Sequence, residues 1–181
     1  SKNQPENLEF LARFRALLDE YPAKTAVGEV GDAQRGLEIL GQYTAGNTGV
    51  HMCYAFEFLA KDPLIAARVA EVFAKVDDVA ADGWACWAFS NHDVQRHVSR
   101  WNHSEAALRL HATLIMCLRG SVCIYQGEEL GLPEAEVAFE DLQDPYGIEF
   151  WPEFKGRDGC RTPMVWTNDN TYGGFSETRP W

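Results

Sequence analysis

A run of six apolar residues ends abruptly in a polar tetrapeptide. Residues 84–89 read Trp-Ala-Cys-Trp-Ala-Phe, and residues 90–93 read Ser-Asn-His-Asp. A strand that is apolar on both faces is typical of a parallel sheet that is covered on both sides. We therefore predict a buried strand whose carboxyl end presents His92 and Asp93 as candidate functional groups. The alternative is a turn capped by an Asx side chain, which implies no chemistry.

Strand-like and helix-like segments alternate along residues 1–132. Hydrophobic spacing predicts strands at 25–30, 51–58, 84–89 and 122–125, and helices at 5–21, 32–42, 62–76 and 104–118. Asp62 and Pro63 are expected to cap and start the third helix. Such alternation predicts an α/β fold of parallel βα units with crossover helices. Residues 133–181 show no sustained period and predict a long loop region.

Composition limits the class of protein and its partners. The 181 residues are 46% hydrophobic, which is enough for one core, and the formal net charge of −11 disfavours nucleic acid and anionic membranes. No apolar run is long enough to cross a bilayer, and the first residues do not resemble a signal peptide. Five scattered cysteines without a C-x-x-C pair indicate buried thiols in a reducing compartment. We expect a soluble, cytoplasmic protein whose ligand is neutral, such as a sugar.

Three of the four predicted strands end in acidic or polar residues. These ends are Glu29, His92 with Asp93, and residues 126–129, which read Gln-Gly-Glu-Glu. Because the carboxyl ends of parallel strands share one edge, these side chains are expected to converge. Two facing carboxyl groups suit glycoside hydrolysis, and the partly apolar strand before Glu29 favours the protonated form of a general acid. Glu29 as the cap of the following helix is an equally good interpretation.

Other chemistries find less support in the sequence. The five histidines show no H-E-x-x-H spacing, and no Cys/His ligand pair or G-x-S-x-G elbow occurs. Residues 28–31 lack the glycine pattern and the lysine of a phosphate loop. We therefore predict no metal and no cofactor.

Four motifs in order resemble glycoside hydrolase family 13, the α-amylase superfamily. They are residues 27–30 (Val-Gly-Glu-Val), 89–96 (Phe-Ser-Asn-His-Asp-Val-Gln-Arg), 125–131 (Tyr-Gln-Gly-Glu-Glu-Leu-Gly) and 156–166 (Gly-Arg-Asp-Gly-Cys-Arg-Thr-Pro-Met-Val-Trp). Within the superfamily the chain is most similar to bacterial α-glucosidases and oligo-1,6-glucosidases. The resemblance implies a partial (β/α)8 TIM barrel that contains its fifth to eighth strands.

The resemblance also assigns roles to individual residues. Glu29 matches the general acid/base at the end of the fifth barrel strand, and Asp93 matches the carboxylate that stabilises the transition state after the seventh. His92 is expected to bind sugar hydroxyl groups. Arg157 resembles the arginine that closes the pocket around the terminal glucose, and Arg161 is a second candidate for substrate binding.

One part of the family pattern does not occur in residues 1–181. The nucleophile of the family is the aspartate of a Gly-x-Arg-x-Asp motif, which this sequence lacks. We expect the chain to be the C-terminal half of the barrel domain, with the nucleophile-bearing half and the C-terminal β-sandwich domain outside it. The resemblance then implies a retaining α-glucosidase that acts on sucrose- or maltose-type sugars, while this polypeptide alone is inactive. The exposed edges of a half barrel favour a homo-oligomer.

Three other functions are compatible with the same residues. An enzyme that transfers glucose or isomerises a disaccharide uses the same carboxylates, with a sugar in place of water. A non-catalytic sugar-binding or interaction module is a different class, but Glu29, His92, Asp93 and Arg157 are all present. An excised structural piece without activity is the third.

Overall fold

The computed structural model describes residues 2–101, 104–168 and 170–180. The helices are α1 (Glu6–Asp19), α2 (Gly36–Thr44), α3 (Ala66–Val79), α4 (His97–Arg100), α5 (Glu105–Cys117) and α6 (Pro145–Glu149). The strands are β1 (Val27–Gly28), β2 (Met52–Ala55), β3 (Ala85–Trp87) and β4 (Ser121–Val122). Single 3-10 turns lie at Ala45–Asn47, Glu128–Leu130, Phe139–Asp141 and Asp158–Cys160. None of the described helices is long and apolar enough to cross a membrane.

The four strands form one parallel sheet in the order β1-β2-β3-β4. This confirms the α/β fold with a parallel sheet. Each strand contains two to four residues and is shorter than predicted, because neighbouring strands pair in register over two or three residues. Beyond β4, one more bond joins the backbone N–H of Cys123 to the Trp87 carbonyl at 2.8 Å.

The chain divides into two compact units, and the sheet belongs entirely to the first. This unit contains the residues up to Ala88 together with Leu114–Cys123. Its largest fully buried side chain is Trp87, which packs against Phe58 and Phe73 with ring centroids 5.3 and 5.2 Å apart. Burial of one such ring contributes about 2–3 kcal/mol. Trp87, the second tryptophan of the apolar run, thus anchors β3 in the core.

The second unit contains the described residues of 89–113 and 124–180. Its core includes the aromatic ring of Phe89. The rings of His97, Trp101 and His111 pack edge-to-face against it, with their centroids 5.5–6.2 Å from the Phe89 centroid. The region predicted as a loop also contains α6 and short 3-10 turns, which are too brief to produce a hydrophobic period. The division at residue 132 stays a prediction.

The predicted start of the third helix is wrong. Asp62 and Pro63 do not cap it, because α3 begins at Ala66 after Ile65, whose φ of −114° and ψ of 156° are extended. Ile65 is β-branched, which suits it to an extended position before the first turn. Val72 and Val76 are the buried residues of α3.

Candidate active site

Glu29 follows β1 directly and lies in the first unit. A side chain at Gly28 would bring its Cβ to 2.6 Å from the Cys53 Sγ, so only glycine fits beside this carboxylate. Glu29 is exposed and borders an open cavity of about 860 Å³, which Tyr43 also lines. The setting is therefore less apolar than the sequence predicts, because β1 is a two-residue strand that pairs on one side among the described residues.

The turn after Glu29 is capped by another residue. The Asp32 carboxylate accepts hydrogen bonds from the backbone N–H groups of Gln34 (3.0 Å) and Arg35 (2.8 Å). These bonds hold the pKa of Asp32 below its ordinary value. Because Asp32 does the capping, the interpretation of Glu29 as a helix cap loses its basis.

His92 and Asp93 lie in a tight turn beyond the end of β3. Asn91 caps this turn, since its side-chain oxygen accepts from the backbone N–H groups of Asp93 (2.9 Å) and Val94 (3.1 Å). The Asx turn that the sequence allowed is therefore real, but Asn91 provides it. The carboxylate of Asp93 is left to make other contacts.

Two arginines from a distant segment bind the carboxylate of Asp93. Arg157 Nη1 and Arg161 Nη2 both donate to its Oδ1 at 2.9 Å. His92 Nε2 lies 3.5 Å from Oδ2, and Arg161 Nε donates to the His92 carbonyl at 2.7 Å. Four of the five predicted site residues thus form one cluster within the second unit. The Asp93 side chain stays 47% exposed, so a ligand can reach it.

Asp144, which the sequence analysis missed, holds the other side of Arg157. Its side chain is fully buried and accepts from Arg157 Nε (2.8 Å), Nη2 (3.0 Å) and backbone N–H (2.8 Å). Arg157 lowers the pKa of Asp144 to about 2, and Asp144 in turn raises the pKa of Arg157. An aspartate before a proline, as at residues 144–145, is typical of a helix N-cap, and Asp144 is the N-cap of α6. The ion pair with Arg157 has no such signal in the sequence.

The backbone around Arg157 is fixed by a close approach of two glycines. Gly156 has a φ of +75°, and a Cβ there would lie 2.8 Å from the Gly147 Cα. Asp158 Oδ2 accepts from the N–H groups of Gln143 (2.8 Å) and Asp144 (2.9 Å). These contacts join the segment before α6 to the segment that carries both arginines.

A second buried contact joins the segments that follow β3 and β4. His97 Nδ1 lies 3.0 Å from Glu128 Oε1, and both side chains are nearly buried. Glu128 Oε2 also accepts from the Tyr125 N–H at 2.8 Å, while Ser90 Oγ accepts from the His97 N–H at 2.9 Å. Glu128 therefore supports the fold of this unit.

The cluster in the second unit combines two carboxylates with two guanidinium groups in hydrogen-bonding geometry. Such an array suits a neutral polar ligand, because its charges are balanced and its donors and acceptors are fixed. Tyr146 places its exposed ring 5.7 Å from the Arg157 guanidinium. Within the described part of the chain, no three His, Cys, Asp or Glu side chains are placed to hold a metal ion.

Comparison with known proteins identifies the family. Residues 1–181 match the family model described as "Alpha amylase, catalytic domain", so the chain belongs to the α-amylase family of glycoside hydrolases. The family resemblance predicted from four motifs is confirmed.

The relatives of the chain include proteins named for α-glucosidase, oligo-1,6-glucosidase and glucosyl-transfer activity. A "Probable alpha-glucosidase" of Rhizobium meliloti (strain 1021) is 67% identical over 99% of this chain and 33% of its own length. An "Oligo-1,6-glucosidase" of Heyndrickxia coagulans is 27% identical over 92% of this chain and 36% of its own. The crystal structure of XgtA, an "alpha-glucosyl transfer enzyme", matches with a TM-score of 0.86 and 53% identity over 95% of this chain and 32% of that one. The chain thus spans about a third of the length of these relatives.

Proposed function

We propose that this chain is the second half of the catalytic (β/α)8 barrel of a retaining α-glucosidase, with β1 to β4 as its fifth to eighth strands. The cluster of Asp93 with Arg157 and Arg161 is the observation that carries the proposal. Cleavage of a glucosidic bond develops positive charge at the anomeric carbon, and a fixed carboxylate stabilises that charge. The parallel sheet order and the match over residues 1–181 support the assignment of the strands.

In the proposed mechanism the enzyme cleaves terminal α-glucosidic bonds of sucrose- or maltose-type sugars. Glu29 protonates the leaving oxygen while a carboxylate outside residues 1–181 attacks the anomeric carbon. The glycosyl-enzyme is then hydrolysed by water, which Glu29 deprotonates. Asp93 stabilises the transition states, and His92, Arg157 and Arg161 bind hydroxyl groups of the terminal glucose.

A chimera tests this proposal. The matching segment of the Rhizobium meliloti relative is replaced by residues 1–181, which are 67% identical to it. We expect the chimera to release nitrophenol from a nitrophenyl α-glucoside. A folded chimera that lacks this activity, while the unmodified relative has it, would overturn the proposal.

The 181-residue polypeptide alone is expected to be inactive toward the same glucoside. Residues 1–181 contain no Gly-x-Arg-x-Asp motif, so no nucleophile is available for the covalent step. The assay uses purified polypeptide at high concentration. Turnover that Asp93→Asn abolishes would contradict the expectation.

Glucosyl transfer is the second candidate function, and the similarity to XgtA favours it. Transfer and hydrolysis share the first step and differ in the acceptor of the glucosyl group. Analysis of the products of the chimera with maltose separates them, because hydrolysis gives glucose alone and transfer also gives longer or rearranged sugars.

We also propose that the isolated polypeptide self-associates. Four large apolar side chains of α1 are exposed, namely Leu8 (37%), Phe10 (61%), Phe14 (37%) and Leu17 (50%). Among the described residues, β1 pairs on one side only and Val27 is 45% exposed. Exposed apolar faces and free strand edges both favour association. Sedimentation at increasing concentration is expected to show oligomers, and a constant monomer mass would contradict this.

A further inference from the structure

Asp144 is the buried end of a chain of contacts that reaches Asp93. Its carboxylate binds Arg157 through Nε and Nη2, and the remaining Nη1 of Arg157 binds Asp93 at 2.9 Å. Asp144 is fully buried, Arg157 is 30% exposed and Asp93 is 47% exposed. The contacts therefore run from the interior of the second unit to its surface.

The shape of the guanidinium group makes this arrangement directional. Nε and Nη2 form one edge of a rigid plane, so two bonds to Asp144 fix both the position and the rotation of that plane. The direction of Nη1 is then determined. A long arginine side chain without this anchor samples many rotamers.

The anchor is itself held in place. Asp144 caps α6, and Asp158 binds the backbone N–H of Asp144 at 2.9 Å. The close approach of Gly156 to Gly147 fixes the backbone next to Arg157. Asp144 therefore has few alternative positions.

We propose that Asp144 is a positioning residue that acts through Arg157 on Asp93. The proposal rests on the proposed role of Asp93 in stabilising the transition state. Asp144 does not contact Asp93, and both carry negative charge, so their direct interaction is repulsive. An attractive coupling between them can arise only through Arg157.

The sign of that coupling is measurable in the 181-residue polypeptide. The folding equilibrium constant is obtained from urea unfolding of the unmodified chain, Asp93→Asn, Asp144→Asn and the double variant. If Asp144 positions Arg157, Asp93→Asn lowers the folding equilibrium constant by a factor that is about two- to five-fold smaller in the Asp144→Asn background than in the unmodified chain. An equal or larger loss of stability in the Asp144→Asn background would overturn the proposal. An equal loss means that the two residues are not coupled, and a larger loss is what direct repulsion between the two carboxylates predicts.

Two further variants complete the design. Asp144→Ser keeps an N-cap and removes the charge, and it is expected to give the same sign. Asp141→Asn changes the same residue type in an exposed ion pair with Arg179 and is expected to show no coupling to Asp93. Failure of both Asp144 variants to fold, with Asp141→Asn folded, would assign Asp144 to structural support alone and reject the proposal.

The functional part is read separately in the chimera. There, Asp144→Asn is expected to lower kcat for maltose and to raise KM, because a displaced Arg157 neither holds Asp93 in place for the transition state nor binds the terminal glucose well. A rise in KM with kcat unchanged would contradict the positioning of Asp93. An inactive unmodified chimera would instead reject the proposed function, and it would leave the measured coupling between Asp93 and Asp144 intact.

Discussion

Glu29→Gln is expected to lower kcat/KM of the chimera for maltose by about 10²–10⁴-fold. The leaving group of maltose is a sugar hydroxyl, which departs slowly without a proton. Glutamine has nearly the same shape as glutamate, but it has no proton to transfer. The exposed position of Glu29 beside an open cavity gives a substrate access to it. Steady-state kinetics with maltose measures the effect.

The leaving group separates acid catalysis from a general loss of function. A nitrophenolate leaves without protonation, so the first step with a nitrophenyl glucoside is expected to be much less affected than with maltose. Glu38→Gln is the matched control, because Glu38 of α2 is exposed in the same unit and pairs with Arg35. An equal loss with both substrates, or a similar loss in the control, would contradict the role of Glu29.

The sequence predicted the order of the strands well and their lengths poorly. Residues 85–87 of the apolar run form β3 and are buried on both faces, whereas Trp84 before them is exposed. Strand ends depend on where the partner strand stops, which is not a local property. The start of α3 moved to Ala66 because the backbone of Ile65 is extended. The spacing of hydrophobic residues therefore predicts which face of an element is buried better than it predicts where the element ends.

The sequence predicted some residues of the candidate site and missed another. Asp93, Arg157 and Arg161 were predicted from motifs, and the structure brings them together within the second unit. Asp144 was missed because its contact with Arg157 depends on the approach of two glycines and on a turn. An isolated aspartate before proline indicates only a helix cap. A buried partner of a predicted residue therefore has to be found in the structure.

Asp93→Asn is expected to lower kcat/KM of the chimera by about 10²–10³-fold, the size seen when one preorganised stabilising group is removed. Asparagine keeps an oxygen that can accept from Arg157 or Arg161, but it cannot offset positive charge at the anomeric carbon. Because Asp93 is half exposed, the cost in stability is about 1 kcal/mol or less. Kinetics and urea unfolding of the same variant separate the two effects.

The two carboxylates are expected to differ in how their loss depends on the leaving group. Positive charge develops at the anomeric carbon with any leaving group, so Asp93→Asn should lower kcat/KM equally for maltose and for a nitrophenyl glucoside. Glu29→Gln should lower kcat/KM much less for the nitrophenyl glucoside than for maltose. Asp141→Asn, an exposed aspartate of the second unit paired with Arg179, is the matched control and should keep full activity. If Asp93→Asn spared the activated substrate, Asp93 would act in proton transfer and the assigned roles would have to be exchanged.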